Sequence, residues 1–323
     1  MIDDPFQACW HRWDRANRHR AEMIEVWNSY IANHPYEFTL IHQGAGVHIL
    51  RVWETTPMPA DFAVIVGEWL YNLRAVLDYT IWAAAAYVSG QVPPPNEGVL
   101  QFPIYDDAAA WRRNLYRLKG LAPHHVERLH LLQPYNSDVD ANYLGWINRL
   151  ARIDRHRSLV NGTAYLAEIK PVIAVDSSKS ATLQWGDRVL RGGQADVARI
   201  TITPWDDETE VRINPRVGID PEIAEWSTST FWARRRFSDR IQMLQVWVST
   251  EIAAFEYDCR GEGRNTDLLS EEFRRICDQR RDSKPLRREH RSTPRWGAAE
   301  PGAPSTRQTF GGQGFPSGPQ LPS

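Results

Sequence analysis

The segment 61–88, DFAVIVGEWLYNLRAVLDYTIWAAAAYV, constrains the fold more than any other stretch of the chain. It reads as one long helix with apolar residues on nearly every side, and a helix apolar all round is surrounded by protein. Yet it carries Glu68, Asn72, Arg74 and Asp78. Charges in such a helix must be paired or hydrogen-bonded, because an isolated buried charge costs several kcal/mol or more. A second segment with complementary charges is therefore required. Residues 144–157, LGWINRLARIDRHR, supply it.

Advancing about 100° per residue separates two faces of this second helix. Tyr143, Leu144, Trp146, Ile147, Leu150, Ala151 and Ile153 share one side, and Asp154 and Arg157 fall within the same apolar arc. Asn148, Arg149, Arg152, Arg155 and His156 fall on the other. Arg74 and Asp78 lie four apart on one stripe of the first helix. The pattern predicts that Arg74 pairs with Asp154 and Asp78 with Arg157, in a network that includes Asn72. Such a network fixes helix register rather than adding stability over an apolar core. The alternative is a functional site, since convergent charges are how helical bundles build active centres.

The remaining chain falls into order around these helices. Asp4-Pro5 is a helix start, a carboxylate cap followed by a residue pre-set for the first turn, and helical spacing continues to about Ala32. YEFTLIHQ and VHILRVWE flank Gly44-Ala45-Gly46 and predict a hairpin. A proline-rich loop follows the central helix, then two shorter helices at 107–119 and 123–132. Residues 159–219 alternate in the β manner, as in Arg199-Ile200-Thr201-Ile202, and predict three to five antiparallel strands with one wet face. A last long helix is expected from near 228–230, where hydroxyl caps are plentiful. No internal repeat is present.

The expected fold is α+β, an antiparallel helical bundle with a β-hairpin after the first helix and a β-rich insertion before the last. The bundle is assigned to 1–260 with the insertion at 158–219, a short helix or linker to 261–281, and a disordered basic, Pro- and Gly-rich tail to 282–323.

Composition excludes several function classes. A formal net charge of −2 gives no bulk field for nucleic acid or membrane. The chain has four Lys against thirty-four Arg; Arg suits buried ion pairs and phosphate contacts, and gene base composition explains the same bias. Cys9, Cys259 and Cys277 are widely spaced, which argues against a disulfide framework or zinc ribbon and fits a reducing cytoplasm. The N-terminus lacks the order of a signal peptide, and no apolar run is long enough to span a bilayer. No membrane attachment is expected.

GEWLYNLRAVLDYTIWAAA, QFPIYDD, LQPY and IDRHRSL together resemble a group of uncharacterised bacterial proteins. These share a G-[DE]-x-L-x-N-L-R-x-x-L-D helix, an F-P-I segment and an I-D-x-H-R helix. The resemblance covers about 60–160, with looser architecture to about 258, and marks Asn72, Arg74, Asp78, Asp154, His156 and Arg157 as signature positions. Tyr71 stands where many relatives carry His. More distantly, the second polar helix is similar to HEPN helical bundles, many of them RNases, through their Arg-then-His motif. Arg149 and His156 are seven positions apart, two turns on one face. That resemblance implies His156 as general acid/base and Arg149 holding the scissile phosphate, with no metal. A homodimer joining two His156 faces would suit it.

Other motifs are weaker. HHVERLH, with His124, His125 and His130, is not HExxH and reads as a solvated helix face, so no metal is expected. No GxxxxGK or GxSxG exists, so neither cofactor nor hydrolase elbow is implied. Residues 273–296 hold eight Arg and Lys284 against Asp278, Asp282 and Glu289, nine cations to three anions, or +6. Such an arm could contact RNA phosphates, and a solvated tail has the same composition. The expected function is a binding or interaction module of unknown ligand; the alternative is a metal-independent RNase acting through Arg149 and His156.

Overall fold

The structure, a computed structural model, describes residues 4–156, 162–233 and 235–260, with 155 and 156 described in backbone only. The short helix expected at 261–281, the tail from 282 and Arg157 of the expected network lie outside the described residues.

Helix α1, Pro5–Ala32, begins where Asp4 and Pro5 predict, and Asp4 Oδ1 accepts the Phe6 N–H at 2.9 Å. Strands β1 (Tyr36–His42) and β2 (Val47–Glu54) form the expected antiparallel hairpin, with Tyr36 opposite Glu54 and His42 opposite His48. Its turn needs left-handed backbone at Gly44 and Gly46, φ 88° and 76°. Helix α2, Ala60–Ser89, is the central apolar helix; Gly90 ends it in the left-handed region. Helix α3 (Ala108–Asn114) is capped by Asp107, whose Oδ1 accepts the Ala110 N–H at 2.7 Å. Helices α4 (Pro123–Leu131) and α5 (Tyr143–His156) follow. Six strands come next: β3 (Gly162–Ile169), β4 (Val172–Ala174), β5 (Ser180–Trp185), β6 (Gln194–Thr203), β7 (Arg212–Asn214) and β8 (Val217–Ile223). Helix α6, Phe237–Arg260, ends the described chain.

The fold is α+β, as expected, and it clusters into two compact units. The helical unit comprises the chain to Val26, Pro59–Gly162 and the residues from Ile223. Side-chain pairs give its helix directions. Along α1, Trp10 donates to Glu256 and Trp13 to the Gln245 carbonyl of α6, so the two run antiparallel. Arg12 meets Asn72 and His19 meets Glu68, so α1 is antiparallel to α2 as well. Helices α2 and α6 are therefore parallel neighbours, matched by Phe62 with Phe237 and Trp69 with Gln245. Parallel helices need a long connection, and strands β3 to β8 lie within it. Helix α4 runs antiparallel to α6, with Arg128 Nε 2.9 Å from Glu251 Oε2. Burial raises the Glu251 carboxyl above its usual range, and the Arg128 guanidinium opposes that shift.

The β unit comprises Trp27–Met58 and Thr163–Glu222. Its main sheet has the order β1-β2-β6-β5, so the early hairpin and the later insertion share one antiparallel sheet. Two-stranded pairs β3-β8 and β4-β7 complete it around Leu50, Val52, Leu166, Val197 and Ile200. Strand β6 alternates, with Val197, Ile200 and Ile202 buried and Asp196 and Thr203 exposed, whereas the edge strand β5 is exposed along nearly its whole length. The insertion holds six strands rather than three to five, because β4 and β7 are only three residues long and leave almost no periodic signal.

Helix α6 also starts later than expected. Ser229 Oγ accepts the N–H groups of Phe231 and Trp232, and Asp140 Oδ2 accepts that of Thr230 at 3.2 Å. The hydroxyls that mark a helix start here close a turn instead, and Trp226 and Trp232 stack across it at 5.8 Å. Among the described residues no helix is long and apolar enough to cross a membrane.

Candidate functional site

The extended segment 101–105, toward the end of the proline-rich loop, pairs with no strand among the described residues, so its backbone polar groups must be satisfied by side chains. Helix α2 supplies one grip. Arg74 Nη1 lies 2.6 Å from Asp78 Oδ1, Arg74 Nη2 donates to the Phe102 carbonyl at 2.9 Å, and Asp78 accepts the Phe102 N–H at 2.8 Å. The end of α4 supplies the other. Buried Gln133 donates to the carbonyls of Pro103 and Leu129 and accepts the Tyr105 N–H at 3.0 Å. The residues of the LRAVLD, FPIY and LQPY motifs thus hold one segment in place.

This segment forms the floor of a hollow of about 340 Å³. Arg74 and Asp78 of α2 line it, with Asn148 and Arg152 of α5, and with Asn114 and Arg117 from the end of α3 and the 3-10 turn after it. Three guanidinium groups face one carboxylate, and that carboxylate is already bound by Arg74 and the Phe102 N–H. The hollow is therefore cationic in balance, with the carboxamides of Gln101, Asn114 and Asn148 beside the cations. A second hollow, about 250 Å³ and walled by Leu131, Leu144 and Trp247, has Asp138 as the charged residue of its lining and lacks such convergence.

Two members of the expected network meet on one helix. Arg74 pairs along its own helix with Asp78, where a partner on α5 was expected; a spacing of four brings the two together and Phe102 needs both. Asp154 does face α2, but its carboxylate packs on Gly67, seven residues before Arg74. It is half-buried. Asn72 is buried, donates to the Glu68 carbonyl at 2.8 Å and accepts from Arg12 at 3.0 Å, away from the hollow. Arg12 also lies over the rings of Tyr71 and Tyr79.

Arg149 is exposed and lies over the Trp146 ring, 4.9 Å from its centroid, rather than lining the hollow. The side chain of His156 lies outside what the structure describes. Sequence reasoning missed Asn114, Arg117, Gln133, Asn148 and Arg152. The one signal present was the spacing of Asn148 and Arg152, four apart on the polar face of α5, like Arg74 and Asp78 on α2.

The HHVERLH helix is corrected in part. His124 and His130 are exposed, but His125 is 1% exposed and packs its ring on Phe255 at 5.1 Å. Burial, with His124 beside it, pushes the His125 ring down to about 4.

Comparison of the chain with models of protein families, with curated proteins and with solved structures gives no match.

Proposed function

We propose that the chain is a binding module whose helical unit takes a small anion-bearing ligand, a phosphate or carboxylate, between Arg74, Arg117 and Arg152. The observation that carries this reading is the convergence of three Arg and two Asn from separate elements on a hollow with a single, already engaged carboxylate. The guanidinium fork matches the paired oxygens of both anion types. The volume falls within the range of small-molecule sites. Under this reading Arg74, Asp78 and Asn72 are chiefly structural, and half-buried Arg117, whose Nε also donates to the Tyr116 hydroxyl at 3.3 Å, and exposed Arg152 are the groups that meet ligand. Of the signature positions of the family with the G-[DE]-x-L-x-N-L-R-x-x-L-D helix, Arg74 and Asp78 line the hollow, and the F-P-I segment forms its floor.

The test is the thermal midpoint of the full chain, titrated with phosphomonoesters, pyrophosphate and dicarboxylates at constant ionic strength. A ligand bound by the native state raises the midpoint in proportion to ln(1 + [L]/Kd). Arg117→Gln and Arg152→Gln should keep the unliganded midpoint and lose the rise. A rise equal to that given by chloride, or one retained by both variants, would remove the proposal. The nuclease reading through Arg149 and His156 draws no support from the position of Arg149. Cleavage of RNA in excess EDTA, abolished by His156→Ala, would restore it.

A further inference from the structure

Away from the hollow, the first turn of α4 and the last turn of α6 bring His124, His125 and Asp258 together. One ring nitrogen from each histidine and one carboxylate oxygen lie within 4.8 Å of one another. The two imidazoles are in contact, their centroids 4.2 Å apart and their planes at 59°. Neighbouring helix positions usually diverge by about 100°, so two adjacent side chains turned onto one carboxylate is a specific arrangement.

The second observation is the state of His125. It is 1% exposed, and its Nδ1 has no hydrogen-bond partner. Buried polar atoms are nearly always satisfied, and an orphan calls for an unseen water or ion. Its Nε2 faces the Cys259 sulfur at 4.0 Å, beyond a strong hydrogen bond. The antiparallel packing of α4 on α6, fixed by Arg128 one turn beyond the histidines and Glu251 two turns before Asp258, holds both halves of the cluster on rigid elements.

We propose that His124, His125 and Asp258 bind a divalent transition-metal ion of the zinc type. Two imidazoles and one carboxylate are a borderline donor set that suits Zn2+, Co2+ or Ni2+ rather than Ca2+ or Mg2+, which take oxygen. An ion about 2.1 Å from its donors spans donors up to about 4.2 Å apart, so a small rotation of exposed His124 or Asp258 closes the site. Water completes the shell, with the Cys259 thiol at its edge. This site is independent of the anion hollow.

The experiment uses the untagged full chain, stripped with EDTA and desalted, titrated with Zn2+ by calorimetry and with Co2+ by visible absorption. One ion per chain is expected at roughly micromolar metal, with a cobalt spectrum of low coordination number. His124→Ala and Asp258→Asn alter exposed side chains and should keep the metal-free thermal midpoint. Each should weaken binding at least about tenfold. Absence of binding at a hundredfold higher metal, or affinity unchanged in both variants, would overturn the assignment.

Discussion

Gly67 shows how a single position can be read too shallowly from sequence. Its helical backbone suits any residue, so what it supplies is space. A Cβ there would meet the Asp154 carboxylate, with Cγ and Oδ2 both at 2.7 Å. The glycine of the GEWLYNLR motif and the aspartate of IDRHR are thus two halves of one contact. The helical wheel placed Asp154 on the core side correctly, because direction follows from periodicity alone. It did not reveal the contact with Gly67, because which turn of α2 faces which turn of α5 depends on helix offset, and periodicity carries no offset. Gly67→Ala should destabilise by about 1–3 kcal/mol through overpacking. Asp154→Ala should cost about 1.5–3 kcal/mol, the worth of hydrogen bonds to a charged group; half-burial keeps it below the loss expected of a fully buried ion pair. Denaturant midpoints of both variants and of the double variant test the contact. Gly67→Ala should be nearly harmless once the carboxylate is gone, and simple additivity would show that the two positions do not share it.

At the scale of elements, legibility tracked the range of the interaction. Helices α1 and α2 and the hairpin were legible to within a residue or two at most boundaries, because caps, glycines and periodicity are local. The β2–β6 pairing was not, since nothing in VHILRVWE names a partner some 140 residues on. The hollow was half legible. Arg74 and Asp78 stood out as charges in an apolar helix, whereas Arg117 and Arg152 look like ordinary surface residues until three elements converge. Gln133 was the least legible, an uncharged residue before Pro134 that satisfies both the Tyr105 N–H and the Pro103 carbonyl. Removing it leaves buried backbone groups unpaired on the segment that floors the hollow. Gln133→Ala should therefore cost about 2–4 kcal/mol by thermal or chemical unfolding. It should also weaken the ligand-induced rise in midpoint, linking the frame to the site. A variant as stable as the parent would mean that the segment is held by its apolar side chains alone.

Over the whole molecule the division of charge matters more than its sum. The chain carries −2 in total while residues 273–296 carry +6, so the rest is about −8 by difference. That separates two kinds of anion recognition that composition alone blurs. A small ligand at Arg74, Arg117 and Arg152 depends on geometry and a few guanidinium forks, and its affinity should fall only modestly with salt. An RNA strand held by the basic segment would depend on counterion release, with a log–log salt slope approaching about −0.7 per phosphate contacted. If the basic segment holds RNA, the full chain should bind a single-stranded RNA oligonucleotide with a steep salt dependence, and a chain ending at Arg260 should lose that binding while keeping the small-anion shift. Fluorescence anisotropy at several salt concentrations, run beside the thermal titration on both forms, measures the two properties separately. If the shortened chain still binds RNA with the same slope, the contacts belong to the described units, and the Arg117–Arg152 wall becomes the place to look. If neither form binds RNA, the basic segment is a solvating one and the chain's recognition chemistry resides in the helical unit.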